Sequence, residues 1–285
     1  MELGVAEKRI MPTGWLTRHI NCLGTLGAQS LPAVSCGGLT PTSLLGEGRA
    51  MVVNEPGKLN LGGPKPMLAG IEDALRSMYK ISDTSWVDQA GAGALKSLAL
   101  IEEKNPGDYV SKNNVEYPKS EISNKLKTLA QLLTMNLGIQ AATVDMGGWD
   151  THKFQGTGTE GTFAKQVEQL SEALGAFYAD VQGENITVMV MSEFGRRLKE
   201  NANRGTDHGH GGFMMVLGNH VNGGKIYGRW PGLKTDQLYE RADLAVTTDY
   251  RTVIAEVLSK RCGNKQISQV FPGFPNQAQL GVVQA

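Results

Sequence analysis

Apolar residues recur at helical spacing in two long parts of the chain, within residues 66–136 and within residues 163–181. After Ser120, an apolar residue returns at every third or fourth position, which forms one stripe along a helix. Ser120 itself has the hydroxyl that an N-cap needs. The second part predicts a long amphipathic helix. Its apolar stripe consists of Phe163, Val167, Leu170, Leu174, Phe177 and Val181.

Short continuous apolar runs at residues 139–148 and 185–195 lie on either side of this second helix. Their β-branched content, and their ends at glycine or polar residues, are typical of buried strands. A strand, a helix and a strand in this order predict a βαβ unit, and hence a parallel sheet covered by helices. The chain is therefore predicted to be an α/β protein with a mostly parallel sheet flanked by helices.

Weaker patterns add elements around this unit. Further strands are expected near residues 33–36, 50–54 and 212–217, and further helices near residues 15–21 and 247–260, the last capped by Thr248 or Asp249. We expect one domain over residues 1–285. Its parts are an irregular connecting region (1–60), a helical region (61–136), an α/β core that carries the site (137–260) and a C-terminal tail (261–285).

The balance of charge argues against several classes of partner. Lysine plus arginine and aspartate plus glutamate both number 28, without blocks of like charge, so we expect no nucleic-acid partner. No apolar run approaches the roughly 20 residues that span a bilayer, so we expect no membrane span. Cys22, Cys36 and Cys262 lack the spacing of a disulfide framework or a zinc site. A small molecule is the expected partner.

Polar sequences follow both strands of the predicted βαβ unit. The first strand leads into GGWDTH, and the second leads into SEFGRR and then GTDHGHGG. Because ligands bind beyond the carboxyl ends of strands in open α/β sheets, these segments are expected to meet at one edge of the sheet. They contain six candidate metal ligands, Asp150, His152, Glu193, Asp207, His208 and His210.

Imidazole and carboxylate donors suit a divalent cation, with zinc or manganese expected first. Six ligands exceed what one tetrahedral ion requires, so the segments hold enough donors for two ions. Two ions about 3.5–4 Å apart bind both the attacking and the leaving oxygen of a phosphoryl or sulfuryl displacement. The pattern therefore predicts a metal site with one or two ions.

Each motif also has an ordinary structural interpretation. The DTH sequence of residues 150–152 is compatible with an Asx-turn or a helix cap. Glu193 and Arg196 are compatible with an ion pair at the start of a helix, and Arg196 equally with binding an anionic substrate. Thr151 and Thr206 carry hydroxyls beside the ligands, although threonine at such positions more often orients a loop than acts as a nucleophile.

Four segments, VDMGGWDTH, SEFGRRLKENANRGTDHGHGG, GGKIYGRWPGL and TTDYRTVIAEVL, are distinctive. Together they resemble the hallmarks of the domain-of-unknown-function family fifteen-oh-one, a branch of the alkaline phosphatase and sulfatase superfamily. The resemblance implies an alkaline phosphatase-like fold with metal ligands at the strand ends. It also implies that Asp207 and His208 bind one ion, with Asp150, His152 and His210 as candidate ligands of its companion.

The resemblance implies a reaction as well, the metal-dependent hydrolysis of phosphate or sulfate esters, with a small anionic ester as substrate. Glu193 and Arg196 are then the candidate catalytic residues. Glu193 would act as a ligand or as the partner of a ligand, and Arg196 would neutralise the ester. A phosphomutase or phosphodiesterase reaction is a further class within the superfamily. The alternative is a catalytically inactive metal-binding or partner-binding protein on the same fold.

The start of the chain departs from the family pattern. Members usually begin with a twin-arginine export signal and an early strand that ends in a glycine-rich loop with an aspartate. Residues 1–21 instead resemble an internal stretch of such proteins, and they show no signal peptide. We therefore expect the fold to lack the first strand of the superfamily. The resemblance implies a periplasmic or other extracytoplasmic location.

Overall fold

A computed structural model of the protein describes residues 1–5, 11–24, 31–79, 85–104, 107, 109–275 and 278–285. In this part of the chain, the α-helices are α1 (Trp15–Cys22), α2 (Leu68–Met78), α3 (Trp86–Glu103), α4 (Glu121–Thr134), α5 (Thr162–Asp180), α6 (Tyr250–Arg261) and α7 (Ile267–Val270). The strands are β1 (Ala33–Cys36), β2 (Ala50–Val52), β3 (Ala141–Val144), β4 (Thr187–Val190), β5 (Gly195–Arg196), β6 (His208–Gly209) and β7 (Met215–Gly218). Residues 80–84, 105–106 and 108 of the region predicted as helical lie outside the described residues. None of the described helices is long and apolar enough to cross a membrane.

The parallel sheet is small and has β1 at its centre. The strand order is β2-β1-β3, with Val34 opposite Met51 on one side and opposite Ala142 on the other. All four residues of β1 are buried, because strands cover both of its edges and apolar cores cover both of its faces. Burial raises the pKa of the Cys36 thiol to about 12. Residues 1–60, predicted as a connecting region, thus supply two strands of this sheet.

The predicted βαβ unit is present as three successive elements, but its strands do not pair with each other. β4 pairs antiparallel with β7, with Val188 opposite Leu217, in a separate sheet of two strands. β3 and β4 nevertheless contribute Val144 and Val188 to the same apolar core, which also includes buried side chains of α5. The mixed α/β class is confirmed, whereas the mostly parallel sheet is corrected to parallel pairing among three described strands. A hydrophobic pattern locates a strand but carries no information about its partner.

α4 and α5 contribute to the core that covers one face of the parallel sheet. The Ser120 side chain accepts a hydrogen bond from the Ser123 backbone N–H at 3.3 Å, so the predicted N-cap is confirmed. Leu126 and Phe177 are buried in the shared core. α5 buries only the C-terminal part of its predicted apolar stripe, since Val167 is 44% exposed.

A second apolar core joins the two ends of the chain. The rings of Trp15 and Phe271 have centroids 6.0 Å apart, and α6 adds Ile254 to the same cluster. The fully buried carboxylate of Glu256, also on α6, binds the C-terminal tail. It accepts hydrogen bonds from the backbone N–H groups of Leu280, Gly281 and Val283. The tail is therefore attached to the helix that packs beneath the sheets.

Candidate metal centre

Two loops that carry candidate ligands lie against each other. We call residues 149–155, which follow β3, the first ligand loop, and residues 201–208 the second ligand loop. Backbone N–H groups join them at three places, from Phe154 to Asn203, from Gln155 to Arg204 and from Thr206 to Thr151. Gly205 lies where the loops are closest, because a Cβ there would be 2.3 Å from the carbonyl carbon of His152. Only glycine permits this approach of the two backbones.

A pairing of β5 with β6 fixes the second ligand loop beside the residues that follow β4. Arg196 pairs with His208, and Gly195 pairs with Gly209. The backbones are so close that a Cβ at Gly195 would lie 1.6 Å from the carbonyl oxygen of Gly211. Gly195 and Gly209 therefore allow the segment around the two histidines to pack tightly against the segment that follows β4.

Asp150, His152 and His208 bring one donor atom each to a common point, and we call them the donor triad. Oδ1 of Asp150 lies 3.0 Å from Nε2 of His152 and 2.9 Å from Nε2 of His208. The two imidazole nitrogens are 3.1 Å apart. Three donor atoms within reach of one ion form a cluster that is able to hold a metal. A cluster that could hold a metal is therefore present, with these three residues as its donors.

The donor triad is open to solvent. The side chains of Asp150, His152 and His208 are 68%, 37% and 49% exposed. Hydrogen bonds from His208 and then Arg196 hold the pKa of Asp150 below its usual range, so the carboxylate is ionised as a ligand must be. Structural zinc sites are closed by four protein ligands, whereas catalytic sites keep one position free. The exposed arrangement of three donors matches the second kind.

Phe194 holds the ring of His208 in place. The two rings are stacked, with centroids 3.8 Å apart and planes inclined by 22°. The imidazole of His152 lies 4.7 Å from that of His208. The imidazole of His208 thus contacts the ring of Phe194 and the imidazole of His152, another member of the donor triad. Phe194 is not recognisable from the sequence, because a single aromatic residue after a strand has no pattern that marks a contact with a distant histidine.

Asp207 contacts the opposite edge of His152. Its Oδ1 lies 3.1 Å from Nδ1 of His152, the ring nitrogen that is not part of the donor triad. Asn201 Nδ2 donates to the same carboxylate oxygen at 2.9 Å and to the carbonyl oxygen of His152 at 3.0 Å. Hydrogen bonds from Asn201 and then His152 lower the pKa of Asp207. Asp207 is therefore next to the centre without being one of the three converging donors.

Arg196 connects the two ligand loops. Its Nη1 donates to the carbonyl oxygen of Thr206, and its Nη2 donates to that of Trp149, both at 2.7 Å. Nη2 also lies 3.0 Å from Oδ1 of Asp150, and the side chain is only 19% exposed. The guanidinium is thus held by contacts within the protein, and its role toward an anionic substrate stays a prediction. The alternative ion pair with Glu193 is not formed either, because the guanidinium faces the loops.

Glu193 and His210 lie outside the donor triad. His210 is exposed and stacks on Tyr239, with ring centroids 3.8 Å apart and planes inclined by 13°. Glu193 is exposed and has no hydrogen bond or ion pair with the residues that the structure describes. Of the six candidate ligands, the structure brings together Asp150, His152, Asp207 and His208.

Gln155 accepts hydrogen bonds from the two threonine hydroxyls beside the candidate ligands. The Thr151 hydroxyl donates to Gln155 Oε1 at 2.8 Å, and the Thr206 hydroxyl donates to the same oxygen at 2.6 Å. Both threonines therefore fix the loops, as the ordinary interpretation of such threonines predicts. Gln155 and Asn201 are not recognisable from the sequence, because a single amide side chain has no spacing or pattern that marks it as a connector between loops.

Comparison with curated proteins and with solved structures found no match to this chain. Comparison with protein families found one whose description is "Protein of unknown function (DUF1501)", and it matches residues 87–270. The matched part is more than half of the chain and includes both ligand loops. The chain therefore belongs to the DUF1501 family, and the matched residues include Asp150, His152 and His208.

Proposed function

We propose that the protein is a metal-dependent hydrolase of phosphate or sulfate esters and that Asp150, His152 and His208 hold the cation. The observation that carries the proposal is the convergence of three donor atoms, 2.9–3.1 Å from one another, on an exposed surface. Catalytic metal sites typically use three protein ligands and leave a position for substrate or water. A buried site with four protein donors would instead favour a structural role.

The donor set suits zinc or manganese. Two imidazole nitrogens and one carboxylate oxygen are ligands that both ions accept, whereas calcium and magnesium prefer oxygen alone. A divalent cation held there supplies a Lewis acid for an ester oxygen. The donor residues set its position, and the surrounding loops keep them in place.

Basic side chains near the centre favour an anionic substrate. Lys153 and Arg204 lie in the ligand loops and are exposed. Arg197 follows Arg196 and is 51% exposed, with its Nε 3.6 Å from Asp243. These cations, unlike Arg196, are accessible to a phosphate or sulfate group. Since the Thr151 and Thr206 hydroxyls bind Gln155, we propose that water rather than a side chain attacks the ester.

The alkaline phosphatase-like fold and the extracytoplasmic location belong to the same proposal. The fold is supported by ligand loops that follow strands, as expected at the carboxyl ends of an α/β sheet. The location is supported only by the resemblance of the four sequence segments to an exported family. The described parallel sheet has only three strands, so the proposed activity depends on the donor triad more than on the fold.

The proposal is tested by metal content and by turnover in the same samples. Purified protein is loaded with Zn²⁺ or Mn²⁺, dialysed, analysed for bound metal and assayed with p-nitrophenyl phosphate and p-nitrophenyl sulfate. We expect bound metal and hydrolysis of at least one ester in the wild type, and loss of both in His208→Ala. His220→Ala, which changes an exposed histidine outside both loops, is the matched control and should retain both.

A metal-binding protein without catalysis is the second candidate. The observation that favours it is that Arg196, Thr151 and Thr206 are all engaged in contacts between the loops. This candidate predicts stoichiometric metal and no turnover of either ester. Wild-type protein that binds neither Zn²⁺ nor Mn²⁺ would rule out both candidates.

A further inference from the structure

The contacts of His152 distinguish two kinds of carboxylate at the metal centre. Its Nε2 lies 3.0 Å from Oδ1 of Asp150, within the donor triad. Its Nδ1 lies 3.1 Å from Oδ1 of Asp207. The two nitrogens of an imidazole direct their in-plane bonds to different sides of the ring, so one ion cannot bind Nε2 and also replace the contact at Nδ1. Asp150 therefore lies on the side of His152 that faces a cation held by the triad, whereas Asp207 contacts the other side of the ring.

We propose that Asp207 is a positioning residue that holds His152 with its proton on Nδ1 and its Nε2 lone pair toward the donor triad, so that the centre binds one ion. The inference rests on the proposed metal site, and it removes Asp207 from the set of direct ligands. Histidines that bind metals commonly donate their other N–H to a carboxylate, which fixes the tautomer and the ring orientation.

Asn201 makes this arrangement rigid. Its Nδ2 donates to both Asp207 Oδ1 and the carbonyl oxygen of His152, so one amide holds the carboxylate and the residue that the carboxylate orients. Its own Oδ1 accepts hydrogen bonds from the backbone N–H groups of Asn203 and Gly205. The amide orientation is thus determined from both ends. Asp207 faces Nδ1 because the turn of the second ligand loop holds it there.

The spacing of the triad is consistent with one ion that has free positions. The three donor atoms lie 2.9–3.1 Å apart, so one cation would be within reach of all of them. Such a cation would keep positions free for water or substrate. His210, stacked on Tyr239, is not placed to complete a second set of ligands.

The test compares Asp207→Asn with Asp150→Asn in metal-binding titrations with Zn²⁺ and Mn²⁺. Asp207→Asn keeps the shape of the side chain and an acceptor oxygen but removes the charge. We expect the wild type to bind one ion per chain and Asp207→Asn to bind one ion with a Kd about 10–100-fold weaker. Asp150→Asn should lose far more affinity. Asp236→Asn, a change at an exposed aspartate outside the loops, is the matched control and should bind as the wild type does.

Spectroscopy separates positioning from ligation. In Co²⁺-loaded protein, the visible absorption bands of Asp207→Asn should keep their wild-type positions, because the direct ligands are unchanged. Two ions per wild-type chain and one in Asp207→Asn would show that Asp207 binds a second ion and would overturn the inference. Wild-type affinity in Asp207→Asn, or a loss as large as that of Asp150→Asn, would also overturn it.

A measurement without metal distinguishes failure of this inference from failure of the proposed function. Long-range ¹H–¹⁵N correlation spectra of the metal-free protein, recorded at a pH where its histidines are neutral, report the tautomer of His152. We expect the Nδ1–H form in the wild type and a mixture of tautomers in Asp207→Asn. If the wild type binds no cation, the proposed function fails, while an Nδ1–H wild type still supports the role of Asp207. An Nε2–H wild type overturns that role in either case.

Discussion

Arg196 donates a hydrogen bond from Nη2 to Oδ1 of Asp150 at 3.0 Å, and the same oxygen faces both histidines of the donor triad. The guanidinium also binds one carbonyl oxygen in each ligand loop, those of Trp149 and Thr206. One side chain therefore fixes the position of a donor atom and the distance between the loops that carry all three donors.

Arg196→Lys is expected to weaken both the metal centre and the fold. Lysine keeps the positive charge but lacks the planar fork that reaches three acceptors. We expect a metal Kd at least about 10-fold weaker and a free energy of unfolding about 1–3 kcal/mol lower. Titration calorimetry and urea unfolding measure the two effects. Arg204→Lys, at an exposed arginine of the second ligand loop, should change neither, and wild-type metal affinity in Arg196→Lys would contradict the assignment.

Phe194→Leu is expected to reduce metal affinity with little effect on the fold. Leucine keeps an apolar side chain but cannot stack on His208, so the imidazole gains freedom of rotation. Aromatic pairs contribute about 0.5–1.5 kcal/mol beyond their buried area, which corresponds to a Kd about 2–12-fold weaker. Titration with Zn²⁺ measures the change. Phe213→Leu is the matched control, because Phe213 is 76% exposed, and equal affinities of the two variants would disprove the role of the stack.

The parts of the site that the sequence predicts are those with a local pattern. Asp150, His152 and His208 are identifiable because metal-ligand residue types follow predicted strands at glycine-rich turns. The cap of α6 is likewise local: of the two predicted caps, Thr248 and Asp249, the structure has Asp249, whose side chain accepts a hydrogen bond from the Arg251 N–H. Such features depend on residues only a few positions apart, so one sequence contains the information.

The parts that the sequence does not predict depend on contacts between distant residues. β4 pairs with β7 rather than with β3, and no feature of its apolar run selects one partner over the other. His208 and His210 are both histidines between glycines, yet His208 joins the triad and His210 stacks on Tyr239. The side chains that contact these two histidines are about 15 to 60 positions away in the chain. A periodic pattern of neighbouring residues carries no information about such contacts.

Glu256→Gln is expected to destabilise the protein and release its C-terminal tail. Burial opposes ionisation of this carboxyl, but hydrogen bonds from Lys260 and from the Val283 and Gly281 N–H groups outweigh burial and lower its pKa. Glutamine has no charge, and its NH₂ group would face some of the N–H groups from which the carboxylate accepts hydrogen bonds. Because breaking a buried, paired charge typically costs about 3–5 kcal/mol, we expect a loss of about 3 kcal/mol or more in urea unfolding.

A control variant and a second measurement complete the test of Glu256. Glu172→Gln, on the exposed side of α5, should change the free energy of unfolding by less than about 0.5 kcal/mol. Limited proteolysis should cleave residues 278–285 faster in Glu256→Gln than in wild type, since that tail loses its acceptor. Wild-type stability and wild-type proteolysis in Glu256→Gln would show that the tail is held by other contacts.

His19 is expected to make folding stability depend on pH. It is 1% exposed, and burial lowers its pKa from 6.5 to about 4. Asn264 Nδ2 lies 2.9 Å from His19 Nδ1, and the Asn264 orientation is set by the Gln266 N–H, which donates to Asn264 Oδ1. The amide therefore presents an N–H to the ring, which suits a neutral imidazole and opposes a protonated one.

The sign of the pH effect follows from where the proton binds. Between pH 6.5 and about 4, the unfolded chain protonates His19 while the folded protein keeps it neutral, so stability falls as pH falls through this window. The shift corresponds to a loss of about 3 kcal/mol. Urea unfolding of metal-free protein at pH 7 and pH 4 should show this loss in wild type and in His220→Gln, a control at an exposed histidine. His19→Gln should lose about 3 kcal/mol less than wild type over the same interval, because glutamine has no proton to bind. Parallel profiles for wild type and His19→Gln would mean that His19 is protonated equally in both states, against its buried contact with Asn264.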